Sequence, residues 1–324
     1  MPYEQFPNIK IFVSRRIDVN SVVVPNPLFI PVRCGAVFDQ RSNDIQGDDS
    51  GENISEKRMS FCELTVQYWA WKNTKSDYYG LCHYRRYFSF SDKKYKTNHH
   101  GLVEYPLLSE RAMKRFYLLN TKLMTNEISQ YDIIIPQPMA VNQMHLPHGK
   151  AKTVYQLWRT HEDIFFDGWV IDRMFHLIDQ FFPYYGTSAR EYFNSEFHIG
   201  YNCYIMNNSL FQRLCQFQFP IIEVIEREMK PGRMCRTPAY VAEMLFGIFV
   251  YHVINREQWR VRQLQLVLFY ETRTRTAFEC FCLYIVYFGD KIIHWLADPF
   301  FPLGSKRREC CKMLYHRLTR IARK

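Results

Sequence analysis

Residues 53–87 read NISEKRMSFCELTVQYWAWKNTKSDYYGLCHYRRY, and this stretch decides the fold. Phe61, Leu64, Tyr68 and Trp71 share one helical face, with Cys62, Val66 and Trp69 beside them, so the spacing predicts one long helix over 54–73. Asn53 or Ser55 caps it, and Glu56 stands three residues after Asn53, a capping-box spacing. A strand over 78–83 follows and ends in His83-Tyr84-Arg85-Arg86. On the N-terminal side, IKIFV at 9–13 reads as a buried first strand ending in Ser14-Arg15-Arg16. Pro25, Pro27 and Pro31 mark an irregular stretch, and 41–52 is a polar loop. On the C-terminal side, helices are expected near 120–129, 150–161 and 168–182, and strands at 132–135 and 200–206. Asn208 or Ser209 starts one further helix, and Thr237 with Pro238 starts another that runs to about 253. Alternating strands and helices predict an α/β fold with a mainly parallel sheet flanked by helices.

In such a sheet, ligands bind beyond the C-terminal strand ends. Arg15 lies at one end, and His83, Arg85 and Arg86 lie at the other. Guanidinium groups bind phosphate oxygens bidentately and stay charged, so this cluster points to a diphosphate. Internal salt bridges are the alternative for Arg85 and Arg86. The loop–helix–strand–polar cluster order resembles GT-A glycosyltransferases, whose strand ends in Asp-x-Asp holding a divalent metal. Here that place is His83-Tyr84-Arg85, with no carboxylate pair. Fixed cations in place of a metal are therefore expected, with Mn²⁺ or Mg²⁺ as the alternative. His145-x-x-His148 lacks the cysteines or HExxH that would make it a metal site.

Four blocks, Asn53–Lys57, Phe61–Thr65, Tyr68–Asn73 and Gly80–Tyr87, together with YDIII at 131–135, YNCYIM at 201–206 and Ala242-Glu243, are similar to the domain of unknown function 4422 family. Its members come from bacterial capsule, exopolysaccharide and lipopolysaccharide loci and are described as probable glycosyltransferases. The resemblance covers about 8–255. It implies a GT-A-like, Rossmann-like domain at 1–255 and leaves 256–324 as a basic, helical C-terminal extension. The family often has a histidine where Arg15 stands.

Within that reading, Arg15, Asn53, His83, Arg85 and Arg86 are expected to bind the donor diphosphate. Glu63, Asn202 and Arg236 are expected at the sugar or acceptor. Glu243 is the expected catalytic base, with Glu196 and Glu63 as rivals and a structural pair with Arg236 as its alternative role. Tyr201 and Tyr204 are candidates for stacking on a sugar or for the core. Asp132 is read as structural, and Asp48 and Asp49 as members of a solvated loop. The resemblance implies a UDP-linked hexose donor, with galactofuranose among the hexoses, and a saccharide or lipid-linked acceptor.

The 324 residues are 47% hydrophobic and 23% charged, which excludes a disordered chain. Aromatic residues make up 17%, compatible with ring-stacking ligands as well as with a core. Met1–Lys10 has no apolar signal region, and no uncharged run reaches the roughly 18 residues of a membrane span. The ten cysteines contain no CxxC, so reduced thiols in the cytoplasm are expected. Eight Lys/Arg against Glu309 alone put +7 of the net +10 into residues 306–324. The remaining +3 counts against a nucleic-acid partner. The aromatic run from 277 and the basic tail fit peripheral attachment to an anionic membrane at its inner face. A non-catalytic protein that binds a nucleotide sugar or another anion is the second class.

Overall fold

The IKIFV run does form a strand, and its two faces are buried in different halves of the protein. The structure is a computed structural model describing residues 6–40, 44–144, 150–230, 234–301, 305–308 and 310. In chain order the strands are β1 (Ile9–Arg16), β2 (Phe29–Cys34), β3 (Tyr78–His83), β4 (Arg86–Phe88), β5 (Leu102–Leu107), β6 (Ile133–Pro136), β7 (Met139–Ala140), β8 (Phe197–His198), β9 (Tyr204–Asn207), β10 (Val261–Leu264) and β11 (Leu266–Glu271). The helices are α1 (Arg58–Phe61), α2 (Leu64–Asn73), α3 (Glu110–Arg115), α4 (Thr121–Ser129), α5 (Val154–Arg159), α6 (Trp169–Phe181), α7 (Pro183–Asn194), α8 (Asn208–Glu228), α9 (Thr237–Arg256) and α10 (Ala277–Ala297).

The expected α/β class holds, with a mixed sheet. β3 is central: β1 runs parallel to it on one side, and β9 antiparallel on the other. β2 extends the sheet beyond β1, and β6 and β10 extend it beyond β9. A two-residue turn joins β3 to β4, which carries β11 and then β5. Side chains alternate across a strand. Phe12, Tyr79 and Leu81 therefore enter one core with α2 and α5 to α9, while Ile11, Val13 and Cys82 enter the other with α3 and α4.

Several expectations change. The helix over 54–73 is broken, because Cys62 takes a left-handed φ of 51°. Its apolar pattern continues through the break, so the sequence gives no sign of it. Pro31 lies inside β2, an edge strand, where a missing N–H is tolerated. Asp48 is fully buried. Its carboxylate accepts from the Gly35 and Ala36 N–H groups at 2.8 and 2.9 Å and from the Ser55 and Thr65 hydroxyls. β9 begins only at Tyr204, since Tyr201 and Asn202 are left-handed at 77° and 43°. Asp132 ties β6 to β10 by accepting from the Arg260 backbone and guanidinium.

β10 and β11 belong to the main sheet, so the body continues past residue 255, and among the described residues α10 stands on its flank. One described helix, α9, is long and apolar enough to cross a membrane, and 78% of that window is buried in the core. His145, His148 and most of the basic tail lie outside the described residues.

Candidate active site

The C-terminal ends of β1, β3 and β6 and the start of β9 meet at one rim of the sheet. A pocket of about 360 Å³ opens there, where ligands bind in open α/β sheets. Four pieces of chain build most of it, and His100, Met139, Met144 and the β8–β9 segment with His198 and Tyr201 complete the lining.

The first is the β3–β4 turn. His83 and Arg86 are paired across it and face the same side, with Arg85 at its tip. Burial first, then Arg86, Arg85 and Arg236, pushes the His83 imidazole well below its ordinary pKa, so it is neutral at pH 7. Its Nδ1 accepts from the Arg85 N–H at 3.4 Å. The Nε atoms of Arg85 and Arg86 are buried without a hydrogen-bond partner. Arg86 lies over the Tyr201 ring at 5.0 Å.

The second is the break at Cys62, after which Glu63 stands at the N-cap position of α2 and lines the pocket. The Cys62 Sγ accepts from Arg236 Nε at 3.3 Å, and burial lifts its thiol pKa to about 11. The Asn202 side chain donates to Glu63 Oε1 at 3.2 Å.

The third is the start of α9, which brings Arg236, Tyr240 and Glu243 to the wall. Among the described residues, Arg85, Arg86 and Arg236 have no carboxylate within 4 Å. The Glu243 partner is His198, whose Nε2 lies 3.6 Å from Oε1. Burial raises the Glu243 carboxyl. The His198 hydrogen bond and charge, the Tyr201 backbone N–H and Arg86 outweigh it, so the pKa stays below its ordinary value. His198 is 7% exposed, its Nδ1 is 3.1 Å from the Tyr192 hydroxyl, and Trp158 packs on its ring edge to face.

The fourth is α5 with its following turn, which adds Trp158 and His161. The Trp158 indole N–H is buried without a partner, and burial lowers the His161 pKa.

The structure thus gathers Glu63, His83, Arg85, Arg86, Arg236 and Glu243 into one pocket. Asn202 stands behind it, 2% exposed, with its amide bonded to Glu63 and its Oδ1 buried without a partner. Two expected donor ligands lie elsewhere. Arg15 is one residue out of phase: it shares its strand face with Ile11 and Val13, and its guanidinium donates to the Ser21 and Val22 carbonyls. Asn53 caps its own loop, accepting from the Ser55 N–H and donating to the Gly51 carbonyl. Glu196 is exposed and does not line the pocket, and Tyr204 is in the core, whereas Tyr201 lines the pocket. Sequence reasoning missed Trp158, His161, His198 and Gly200. A Cβ on Gly200 would lie 2.6 Å from both Glu243 Oε1 and His198 Nε2. A glycine two residues after a histidine was the one available signal.

Among the described residues, no three His, Cys, Asp or Glu side chains are grouped to hold an ion. The pocket offers the cations of Arg85, Arg86 and Arg236, the carboxylates of Glu63 and Glu243, and the aromatic side chains of Trp158, Phe165, Tyr201 and Tyr240.

None of the curated proteins compared with the chain matches it. Among solved structures it is similar to one described as "WbbM bifunctional glycosyltransferase apo structure", at 24% identity and a TM-score of 0.72. The match covers 81% of this chain and 45% of that one, so this chain spans under half of that protein's length. At that identity the likeness shows a shared fold. The family model described as "Domain of unknown function (DUF4422)" matches residues 10–256, and the chain belongs to that family.

Proposed function

We propose that the chain is a glycosyltransferase. It moves a hexosyl group, galactofuranosyl among the candidates, from a UDP-linked sugar to a saccharide or lipid-linked saccharide acceptor. The setting is cell-surface polysaccharide biosynthesis at the inner face of the membrane. One observation carries this reading: Arg85, Arg86 and Arg236 line a single pocket free of carboxylate partners, together with the ionised Glu243. Three guanidiniums without a salt-bridge carboxylate suit a leaving diphosphate, whose charge grows as the glycosidic bond breaks. In an inverting transfer the acceptor oxygen bonds to the anomeric carbon. Its proton passes to Glu243, and the electron pair of the breaking bond leaves on the diphosphate. The reading takes fixed cations in place of a divalent metal. Family membership and the shared fold with a glycosyltransferase support it.

The test is a thermal-shift titration with UDP and UDP-sugars, with and without EDTA. The shift should persist in EDTA, and Arg85→Ala should weaken binding by about 10- to 100-fold, the scale of one lost charge-assisted contact. Glu243→Gln should keep the shift and lose transfer by about 10²- to 10⁴-fold. A strict need for Mn²⁺ or Mg²⁺ would remove the metal-independent part. No shift with any nucleotide would favour the non-catalytic, anion-binding alternative.

A further inference from the structure

Among the described residues, one side of α10 packs on the body. The Tyr287 hydroxyl donates to the Glu104 carbonyl at 2.8 Å, and Tyr284 meets the Tyr105 ring edge to face. On another side, Phe278, Phe281, Ile285, Phe288, Ile292 and Leu296 recur at i, i+3, i+7, i+10, i+14 and i+18, a single helical stripe. Each is more than half exposed, and Phe278 reaches 75%. A continuous apolar stripe of that length marks an interaction surface rather than scattered surface residues.

Between α10 and β5 runs a groove of about 330 Å³. Lys96, Arg111, Arg115 and Lys291 line it, and among the described residues none of them forms a salt bridge. Arg115 lies over the Tyr95 ring at 4.9 Å and Lys291 over Tyr287 at 4.5 Å. Glu104 is the one carboxylate in the lining, and it is engaged by Asn98 and Tyr270. Four cations against one carboxylate, whose Oε1 already accepts from Asn98 and Tyr270, leave the groove with a net positive lining suited to an anion. Phe288 belongs to both features, lining the groove while 54% exposed, so the groove opens at the edge of the apolar stripe.

We propose that α10 lies in the interface of an anionic bilayer, with its stripe at the acyl boundary and the β5–α10 groove holding a phospholipid headgroup phosphate. The occupant follows from charge and shape. An anion beside an apolar surface is the chemistry of a lipid. A second copy of the chain would bring the same cations and the same basic tail, eight Lys/Arg against Glu309. An aromatic, apolar stripe with basic side chains beside it is what interfacial binding uses. The proposal rests on the membrane setting proposed above and not on the transfer chemistry.

Vesicle flotation of the full chain tests it, with phosphatidylcholine alone and with phosphatidylcholine mixed with phosphatidylglycerol. Wild type should float with the mixed vesicles, lose binding as salt rises, and stay behind with the neutral ones. Phe281→Glu/Ile285→Glu tests the stripe, and Arg111→Glu/Arg115→Glu tests the groove. Each should raise the lipid needed for half-binding at least tenfold. Both variants should keep the wild-type thermal shift with nucleotides, which shows that they fold and separates this proposal from the donor site. Equal binding to neutral vesicles, or no binding, overturns the proposal. A wild-type dimer in light scattering that Phe281→Glu/Ile285→Glu dissolves would assign the stripe to a second copy instead. Wild-type flotation by Arg111→Glu/Arg115→Glu would overturn the headgroup site.

Discussion

Gly200→Ala puts one methyl group at the tightest point of the pocket. The added Cβ would sit 2.6 Å from Glu243 Oε1 and from His198 Nε2, whereas ordinary contact begins at 3.4 Å. One or both groups must retreat by about 0.8 Å to relieve it, a shift large enough to matter in catalysis. His198 cannot yield easily, being buried, bonded to the Tyr192 hydroxyl and packed against Trp158. Glu243 is 20% exposed on its side chain and faces open space, so the carboxylate moves. Gly200 does not occupy the left-handed region, so alanine adds no backbone strain. The overpacking should cost about 1–3 kcal/mol of stability. A base displaced by nearly 1 Å should lower kcat about 10²-fold. Donor KM should hold, because the substitution touches none of Arg85, Arg86 and Arg236. Gly168→Ala is the control: its Cβ meets Glu162 at an ordinary 3.7 Å, and neither rate nor stability should change. The readouts are initial transfer rates with the nucleotide sugar that gives a thermal shift, and the urea midpoint of each variant. A folded Gly200→Ala protein with kcat within twofold of wild type would refute the assignment of Glu243 as base.

Two further predictions concern the frame around the pocket. Asp48→Ala strips four donors of their shared acceptor, the Gly35 and Ala36 N–H groups and the Ser55 and Thr65 hydroxyls. Urea unfolding should show a loss of about 3–5 kcal/mol, far above the near-zero cost of a solvated loop aspartate. Glu257 accepts from Arg213 at 2.7 and 2.9 Å, and chiefly through Arg213, against the effect of burial, its pKa falls to about 2 from an ordinary 4.5. A depressed carboxyl stabilises the fold above its unfolded pKa and loses that stabilisation as pH falls, here between about pH 4.5 and 2, by about 1–2 kcal/mol after solvent screening. Glu257→Gln should be less stable at pH 6 and show a flatter acid limb, read from urea midpoints across that range.

How much of this was legible in the sequence depended on how local the signal was. β3 matches its expected limits, because a Tyr-Gly-Leu-Cys run after a polar turn is self-contained. The α4 helix is capped by Asn120, its expected first residue, whose side chain accepts from the Leu123 N–H. The strand phase of Arg15 was not legible. Apolar residues on both faces of β1 hide which face carries the site, and a one-residue error sends a side chain into the opposite core. Nor could local patterns place residues 261–271 in the sheet, since those strands pair with β6, β4 and β5, each more than 120 residues away.

The same reasoning explains why Glu243 stood out in the sequence and its partner His198 did not. A carboxylate on an apolar helix invites attention wherever it stands, and Glu243 lies among the buried residues Val241, Ala242, Met244 and Leu245. His198 offers no such contrast, because histidines are common in cores, and the 44 residues between it and Glu243 obey no spacing rule. Their meeting needs three things at once: β9 antiparallel to β3, the left-handed turn at Tyr201 and Asn202, and a residue without a side chain at 200. The left-handed pair turns the chain from β8 into β9, and the bare Cα of Gly200 lets the imidazole and the carboxylate approach. Either change alone, a β-branched residue at 202 or a methyl group at 200, should therefore separate the pair while leaving the arginine wall in place. That is why the Gly200→Ala rate, rather than donor binding, decides whether this side of the pocket performs chemistry or only packing.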